Sequence, residues 1–284
     1  MIPDAGWFWD HAEMRHLIAH DYLFANYVHP SGKHYPLTFR RFRKKETCSA
    51  AQDPFRSHTD LCIELIDWAV AEGIPGDFTF DSYFTNAEIL NHLHGSGRAY
   101  VGDLKANRKI SVNGQERILS DWIATDLGPV CRRKITVAGT TQWYFTKSIR
   151  LPALTHPVRI VVLWAEERAA KPRKILITNR TYWEVHRVLK TYRKRWTGTE
   201  TFHLSGKQHL GMGECQLRDG VGQTLSLASG RPGVHRPHAS VAARPCAAPG
   251  LTCAFRPSAK PVGRSSAKRS AKRSNGLSTE PVKG

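Results

Sequence analysis

The chain has 284 residues, of which 40% are hydrophobic, so it can bury a substantial core and its composition argues against a wholly disordered protein. The formal net charge of +18 favours a polyanionic partner such as nucleic acid. The charge is uneven, because residues 225–284 contain eleven Lys and Arg against the single acid Glu280. About +8 remains for residues 1–224.

Neither the cysteines nor the amino terminus indicates secretion or a structural metal. The six cysteines are scattered, with no C-x-x-C pair and no Cys/His spacing of the zinc type, so reduced thiols are expected. The first residues, MIPDAGWFWDH, lack the basic and apolar regions of a signal peptide, and the apolar run IVVLWA (160–165) is too short to span a membrane. We therefore expect a soluble cytoplasmic protein with no membrane partner.

The first third of the chain predicts a β-hairpin and then an amphipathic helix. Residues 16–29 mix aromatic and β-branched side chains, the turn HPSGK follows, and HYPLTFRRFR alternates apolar and basic residues. In HTDLCIELIDWAVAEG (58–73) the apolar residues recur at helical spacing. Thr59 or Asp60 is the expected cap of this helix, and Gly73 its end.

The middle of the chain alternates strands and helices. GDFTFDSYF (76–84) predicts a strand that ends on Asp81, followed by a helix with Thr85 as its expected N-cap. Further strands are predicted in 99–109, in several short pieces of 110–163 and in 171–179, before a long basic helix over 181–196. This order predicts an α/β protein with a β-rich insertion.

From Leu225 onward the composition changes to Arg, Pro, Ala, Ser and Gly. Phe255 is the only aromatic residue in these sixty positions, so burial of apolar surface cannot offset the loss of chain entropy. Residues 225–284 are therefore expected to form a disordered basic tail. The short repeat AKRS within 265–276 is compatible with a nucleic-acid-binding arm or with incidental basic sequence.

Two acids stand out as candidates for chemistry. Asp81 is predicted at the carboxyl end of a strand, where ligand sites form in open α/β sheets, although a turn or capping Asp would look the same. Glu200 is the single carboxylate in the basic stretch YRKRWTGTETFHLSGKQ (192–208), although a plain surface acid is an equal alternative. If both converged, their oxygens would suit Mg²⁺, and paired metals stabilise the attacking and leaving oxygens of phosphoryl transfer.

On a helix, a cation one or two turns from Glu200 and on the same face could hold a phosphate while the acid holds a metal ion. On a regular helix Tyr192 and Lys207 share the side of Glu200, whereas Arg195 is turned away by about 140°. Gly198 lies in a stretch of weak helix formers, and a one-residue π-bulge there would bring Tyr192 and Arg195 over Glu200. We treat this bulge as a hypothesis.

These residues resemble the Y-x2-R-x3-E-x6-K signature of DDE transposases of the insertion-sequence-four superfamily. Tyr192, Arg195, Glu200 and Lys207 match it, except that four residues rather than three separate Arg195 from Glu200. FTFDSYF resembles the strand of that family's second aspartate, and AGWFWDH, YPLTFRRFRKKE and LKANRK resemble its flanking blocks. The resemblance spans about residues 5–224.

The resemblance implies an RNase H-like mixed sheet flanked by helices. Residues 1–224 would form a partial catalytic domain, with the β-rich insertion at about 108–165 between the second Asp and the Glu. It further implies DNA cleavage and strand transfer with two Mg²⁺ or Mn²⁺ ions, held by Asp81 and Glu200. Tyr192, Arg195 and Lys207 would contact DNA near the cleaved end. The basic helix adds further DNA-binding candidates: Arg187, Lys190, Arg193 and Lys194.

The resemblance is incomplete at both ends. The family's first aspartate lies upstream of the block AGWFWDH, and none of Asp4, Asp10 and Asp21 matches its context. We therefore expect this chain to be inactive alone. We also expect an unfilled place in the sheet beside the strand of Asp81, or an edge covered by residues 1–12. The residues after 224 resemble the translation of G+C-rich DNA in a shifted reading frame.

Three functional hypotheses follow. The first is a transposase that acts on transposon ends and target DNA at the nucleoid, with a homodimer on DNA left open. The second is a non-catalytic DNA-binding remnant that uses the basic helix and tail. The third is a metal-dependent nuclease of the same fold, which would need its own complete cluster of acids.

Overall fold

The computed structural model of the chain describes residues 5–10, 14–196, 198 and 250–257. They form a mixed α/β fold around one nine-stranded sheet, with two smaller two-stranded sheets. The strands of the described residues are, in chain order, β1 Gly6–Asp10, β2 Arg15–Ala19, β3 Asp21–Val28, β4 His34–Phe42, β5 Asp77–Phe80, β6 Tyr100–Asp103, β7 Lys109–Val112, β8 Gln115–Ile118, β9 Arg133–Val137, β10 Thr140–Ile149, β11 Val158–Trp164, β12 Lys174–Thr178 and β13 Gly250–Pro257.

Five α-helices connect or cover these strands in the described part of the chain. They are α1 Lys45–Ala50, α2 His58–Ala71, α3 Ala87–Gly95, α4 Leu119–Asp126 and α5 Val185–Arg195. A short 3-10 turn, Pro129–Cys131, follows α4. None of the described helices is long and apolar enough to cross a membrane.

The order of the large sheet is β4-β3-β13-β5-β6-β12-β11-β10-β9. Strands β13, β5 and β6 run parallel to one another, and every other neighbouring pair is antiparallel. As a result, β5 and β6 end where β3 begins. Asp21, Asp81 and Asp103 therefore lie at one end of the sheet, which we call the carboxylate end.

The two faces of the sheet have different cores because side chains alternate along each strand. Phe78 and Phe80 of β5 pack with Leu65 of α2 and Leu90 of α3 in the larger core. The opposite face is covered by α5, whose buried apolar residues pack with those of β6, β11 and β12. The α5 residues in this second core are Val185, Val188 and Leu189.

The hairpin, the amphipathic helix, the strand before Asp81 and the long basic helix are confirmed, with two different helix caps. Ser57 caps α2 in a capping box with Asp60, two or three residues before the predicted cap. Asn86, rather than Thr85, caps α3. The Asn86 side chain accepts from the backbone N–H of Ile89, whereas the Thr85 hydroxyl donates to the Asp81 carbonyl at 2.6 Å.

The expected gap beside the strand of Asp81 does not exist, so this prediction is wrong. β13 fills it, antiparallel to β3 along its whole length and parallel to β5 over Gly250–Thr252. The amino-terminal strand β1 pairs instead with β2 in a separate sheet. An open place between two strands would leave backbone groups unpaired on both sides, which explains why a short β-prone segment occupies it.

Strand β13 also departs from the prediction that residues 225–284 are disordered, since 250–257 belong to the sheet. The other residues of that range lie outside the described part of the chain. Within the predicted insertion at 108–165, β7 and β8 form their own two-stranded sheet, whereas β9, β10 and β11 extend the large sheet. The insertion is therefore only partly a separate unit.

Gly102 offers a direct test of how tightly the carboxylate end is packed. A Cβ atom at this position would lie 2.5 Å from Oγ1 and 2.8 Å from Cγ2 of Thr85, which is 2% exposed. We expect Gly102→Ala to lower the free energy of unfolding by about 1–3 kcal/mol, measured by urea denaturation.

The matched control is Gly95→Ala at the end of α3, where a new Cβ meets nothing within 4 Å, and we expect little change there. Adding Thr85→Ala to Gly102→Ala removes the two closest atoms. The double variant should therefore lose less stability than the sum of the two single variants. Strict additivity would contradict this packing.

Candidate functional site

Asp81 directly follows β5 and is fixed by the turn that begins there. Its Oδ1 accepts hydrogen bonds from the backbone N–H groups of Tyr83 at 2.9 Å and Phe84 at 3.2 Å. Its carbonyl oxygen accepts from the backbone N–H of Thr85 at 3.1 Å. No hydrogen bond or ion pair to Oδ2 occurs within the described residues. Asp81 thus forms a turn, which is the alternative that the sequence left open. The turn uses Oδ1 and does not use Oδ2.

Asp103 occupies the equivalent position on the neighbouring strand. The last register pair of β5 and β6 is Phe80 with Gly102, so Asp81 and Asp103 are the next residues on two parallel strands about 4.8 Å apart. The Asp103 carboxylate accepts from Lys174 Nζ at 2.7 Å. Asp103 could not be predicted from the sequence, because only the register of the two parallel strands places it next to Asp81.

Lys174 connects this acid to α5. Its ammonium lies 3.5 Å from the Tyr192 hydroxyl and 5.1 Å from the centre of the Tyr192 ring. Burial raises the pKa of Tyr192, opposed by the positive charges of Arg195 and Lys174, so this phenol stays protonated at neutral pH. Asp103 and Lys174 therefore hold Tyr192 at the carboxylate end.

The predicted DNA-binding cations of α5 differ in exposure. Arg187, Lys190 and Arg193 are exposed, whereas Lys194 is half-buried. Arg195 is only 7% exposed and packs against the rings of Tyr192 and Trp196. The exposed charge of this helix therefore comes from residues 187–193.

Helix α5 changes to π-helical backbone at Trp196 and Gly198, where the sequence hypothesis places a bulge. Glu200 and Lys207 lie outside the described residues, as does the predicted convergence of Asp81 with Glu200. Among the described residues, no group of three or more His, Cys, Asp or Glu converges closely enough to hold a metal ion.

A buried acid faces α5 from the interior of the sheet. Asp77, at the start of β5, is 6% exposed, and burial raises its pKa to about 6. The positive charges of Arg187 and Lys194 on α5 oppose this shift, together with Arg180 and Arg98. The negative charge of Asp77 thus attracts the basic side of α5 to β5, while the burial of this carboxylate is unfavourable for stability.

A third acid of the carboxylate end, Asp21, forms a chain of hydrogen bonds on the α2 face. Its Oδ2 lies 3.0 Å from His58 Nε2, and His58 Nδ1 lies 3.2 Å from the Tyr83 hydroxyl. Asp21 is 1% exposed, and burial raises its pKa against the opposing effect of His58. Asp21 could not be assigned from the sequence, since nothing local to it indicates that β3 begins at the end of the sheet where β5 ends.

At the carboxylate end, Asp81 is therefore fixed by its turn and lies between two polar clusters. On the α2 face lie Asp21, His58 and Tyr83, and on the α5 face lie Asp103, Lys174 and Tyr192. In comparisons with known proteins, no protein-family model and no curated protein matches this chain.

The raised pKa of Asp77 predicts a pH dependence of stability. Because the folded-state pKa of about 6 exceeds the ordinary 3.8, the folded chain holds this proton more tightly than the unfolded chain. The free energy of unfolding should then fall as the pH rises from about 4 to about 6, by up to about 3 kcal/mol from this group.

Comparison of urea unfolding at pH 4.5 and pH 7 in wild type and Asp77→Asn isolates this contribution, because other titrating groups are common to both. We expect the variant to be more stable relative to wild type at the higher pH. An equal difference at both pH values would contradict the assignment of the shift to Asp77.

Proposed function

We propose that the chain is part of the catalytic domain of an RNase H-like DDE transposase, a type of enzyme that performs metal-dependent cleavage and strand transfer on DNA, and that it is inactive alone because none of Asp4, Asp10 and Asp21 matches the family's first aspartate. The observation that carries this proposal is the setting of Asp81. It lies at the carboxyl end of a parallel strand, one of its oxygens is fixed by two backbone N–H groups, and the basic helix α5 ends on the opposite face of the same sheet.

The donors present suit a hard divalent cation. Asp81 would provide one carboxylate to Mg²⁺ or Mn²⁺, and Glu200, which lies outside the described residues, would provide another. Such a cation stabilises the attacking and leaving oxygens of phosphodiester cleavage when it is bound. The turn over residues 81–85 holds the Asp81 carboxylate in one orientation and limits the entropy that binding would cost.

Residues on α5 are suited to hold the DNA backbone. Arg187, Lys190 and Arg193 are exposed, and Tyr192 is fixed at the carboxylate end by Lys174. We propose that these side chains, with Lys194, Arg195 and Lys207, contact phosphates next to the cleaved bond. The corresponding partners are transposon ends and target DNA, and the corresponding location is the nucleoid. The proposal includes a homodimer on DNA.

A non-catalytic DNA-binding protein is the second candidate. The exposed cations of α5 favour it independently, because they would neutralise phosphates with or without a metal at Asp81. The two functions make different predictions for Asp81: a metal ligand is essential to the first and has no part in the second. Metal binding therefore separates them.

We expect Mn²⁺ to broaden the amide NMR signals of Tyr83 and Phe84, whose N–H groups donate to Asp81, and Asp81→Asn to abolish this effect. The asparagine oxygen can still accept both hydrogen bonds, so the turn is retained while the negative charge is lost. The measurement is a ¹⁵N-labelled titration with Mn²⁺, using Mg²⁺ as the competing ion.

Glu88→Gln is the matched control, since Glu88 is an exposed acid in the first turn of α3. In this variant Mn²⁺ should broaden the amide signals of Tyr83 and Phe84 as it does in wild type. Broadening that persists in Asp81→Asn would show that the ion binds elsewhere, and an absence of broadening in wild type would favour the non-catalytic candidate.

DNA binding should depend steeply on salt and weakly on sequence. Each phosphate contact releases roughly 0.9 counterion, so Arg193→Ala should weaken binding and reduce the slope of log affinity against log salt by about 1. Fluorescence anisotropy with a labelled duplex at several salt concentrations measures both quantities.

Lys33→Ala is the control, because Lys33 is an exposed cation in the β3–β4 turn, at the other end of the sheet. Affinity that is insensitive to salt would contradict this mode of binding.

A further inference from the structure

The amino-terminal hairpin of β1 and β2 exposes aromatic side chains on one of its faces. Trp7 pairs with Ile18 across the two strands, and Trp9 pairs with His16. Because side chains alternate along a strand, these four residues lie on the same face of the hairpin, which we call the tryptophan face. Trp7 is 59% exposed, Trp9 39% and Ile18 46%, and the rings of Trp9 and His16 are 5.1 Å apart between centroids.

The opposite face of the hairpin is anchored to the body of the protein. Leu17 and Ala19 are buried on that side, and the Phe8 ring meets Phe42 of β4 with a centroid distance of 6.2 Å. The Lys44 ammonium lies 5.1 Å from the centre of the Phe8 ring. These contacts hold the hairpin from one side and keep the tryptophan face directed outward.

The hairpin lies at the carboxylate end of the large sheet. A single residue, His20, separates β2 from β3, and the first residue of β3, Asp21, pairs with Phe42. Phe42 is the same residue that receives Phe8 of the hairpin. The tryptophan face therefore adds an aromatic surface to the end of the sheet that carries Asp81.

We propose that the tryptophan face binds unpaired bases of single-stranded DNA. Tryptophan is mostly buried in folded proteins, so two exposed indoles on one small face indicate a ligand, and every base has an aromatic surface on which an indole can stack. Alternate residues of a strand lie roughly 6.7 Å apart, about twice the 3.4 Å rise along a nucleic-acid strand. Trp7 and Trp9 thus have the spacing to hold a base between them.

This inference goes beyond the proposed function, because it needs neither a metal ion at Asp81 nor the cations of α5. The group that it recognises is an uncharged base. The acids of the carboxylate end therefore oppose this contact less than they would oppose a phosphate in the same place.

Charge and size favour DNA over a second copy of the chain. Lys44 beside the hairpin and its neighbour Lys45 form no ion pair among the described residues, and Arg15 is exposed at the start of β2. Two copies joined through this face would bring like charges together, whereas DNA is attracted by them. Two five-residue strands cover roughly 17 by 10 Å, far less than the about 800 Å² that each partner buries in a typical stable interface.

The test compares two labelled oligonucleotides of equal length and charge on the full chain, an oligothymidylate and its abasic counterpart, by fluorescence anisotropy in EDTA. Wild type should bind the oligothymidylate roughly 10-fold more tightly, because only this strand has bases to stack. Trp7→Leu and Trp9→Leu should each remove most of this preference. The slope of log affinity against log salt should stay the same, since an indole releases no counterion. Trp7→Phe, which keeps an aromatic ring, should retain part of the preference.

Trp196→Leu is the matched control, because Trp196 is 62% exposed and follows the end of α5, outside the hairpin. This variant should keep the preference for bases. A loss that Trp196→Leu shares overturns the assignment to the hairpin. Equal affinity of wild type for the two oligonucleotides overturns the inference, as does an unchanged preference in both Trp7→Leu and Trp9→Leu.

Other occupants of the tryptophan face give different results. A second copy would produce self-association in analytical ultracentrifugation that Trp7→Leu abolishes. Another segment of this chain would make Trp7→Leu less stable in urea while its DNA affinity stays the same. Either result overturns the inference.

The proposed function fails or survives separately from this inference. Mn²⁺ broadening at Asp81 and salt-dependent duplex binding can both be observed in a chain that shows no preference for bases, and the inference alone then fails. If both are absent while the preference for bases persists and depends on Trp7, the proposed function fails and the inference stands.

Discussion

The parallel pairing of β5 with β6 is the constraint on which the site depends. The register that pairs Phe80 with Gly102 places Asp81 and Asp103 side by side at the ends of their strands. Thr85 secures this arrangement, since it packs against Gly102 and bonds to the Asp81 carbonyl. A side chain at position 102 would displace Thr85, so the turn that fixes Asp81 requires glycine on the neighbouring strand. The orientation of the Asp81 carboxylate therefore depends on the packing of Thr85 against Gly102.

The sheet separates two supporting clusters that approach Asp81 from opposite faces. On the α2 face, hydrogen bonds run from a buried acid through His58 to an exposed phenol. On the α5 face, Lys174 links Asp103 to Tyr192. Each cluster ends in a tyrosine hydroxyl, an uncharged group that can both donate and accept a hydrogen bond.

Two buried acids, Asp21 at the carboxylate end and Asp77 at the other end of the sheet, are electrostatically costly. Burial raises the pKa values of both Asp21 and Asp77, so each carboxylate is less stable when ionised than it would be in water. In return, each attracts a partner from another element: His58 at the start of α2, and the cations of α5 near Asp77. Such groups contribute to the placement of the helices more than to the net stability of the fold.

The helices and strands could be predicted from the sequence alone, because hydrophobic periodicity and turn residues are local signals. These signals predicted the hairpin, α2, the strand that ends before Asp81 and the basic helix α5, and the position of Asp81 after a strand made it a candidate. Which strands are neighbours became known from the tertiary structure. Asp103 beside Asp81, Asp21 joined to Tyr83 through His58, and β13 between β3 and β5 all depend on contacts between distant segments. Pairing of distant strands is set by burial and backbone satisfaction across the whole sheet, which no local pattern encodes.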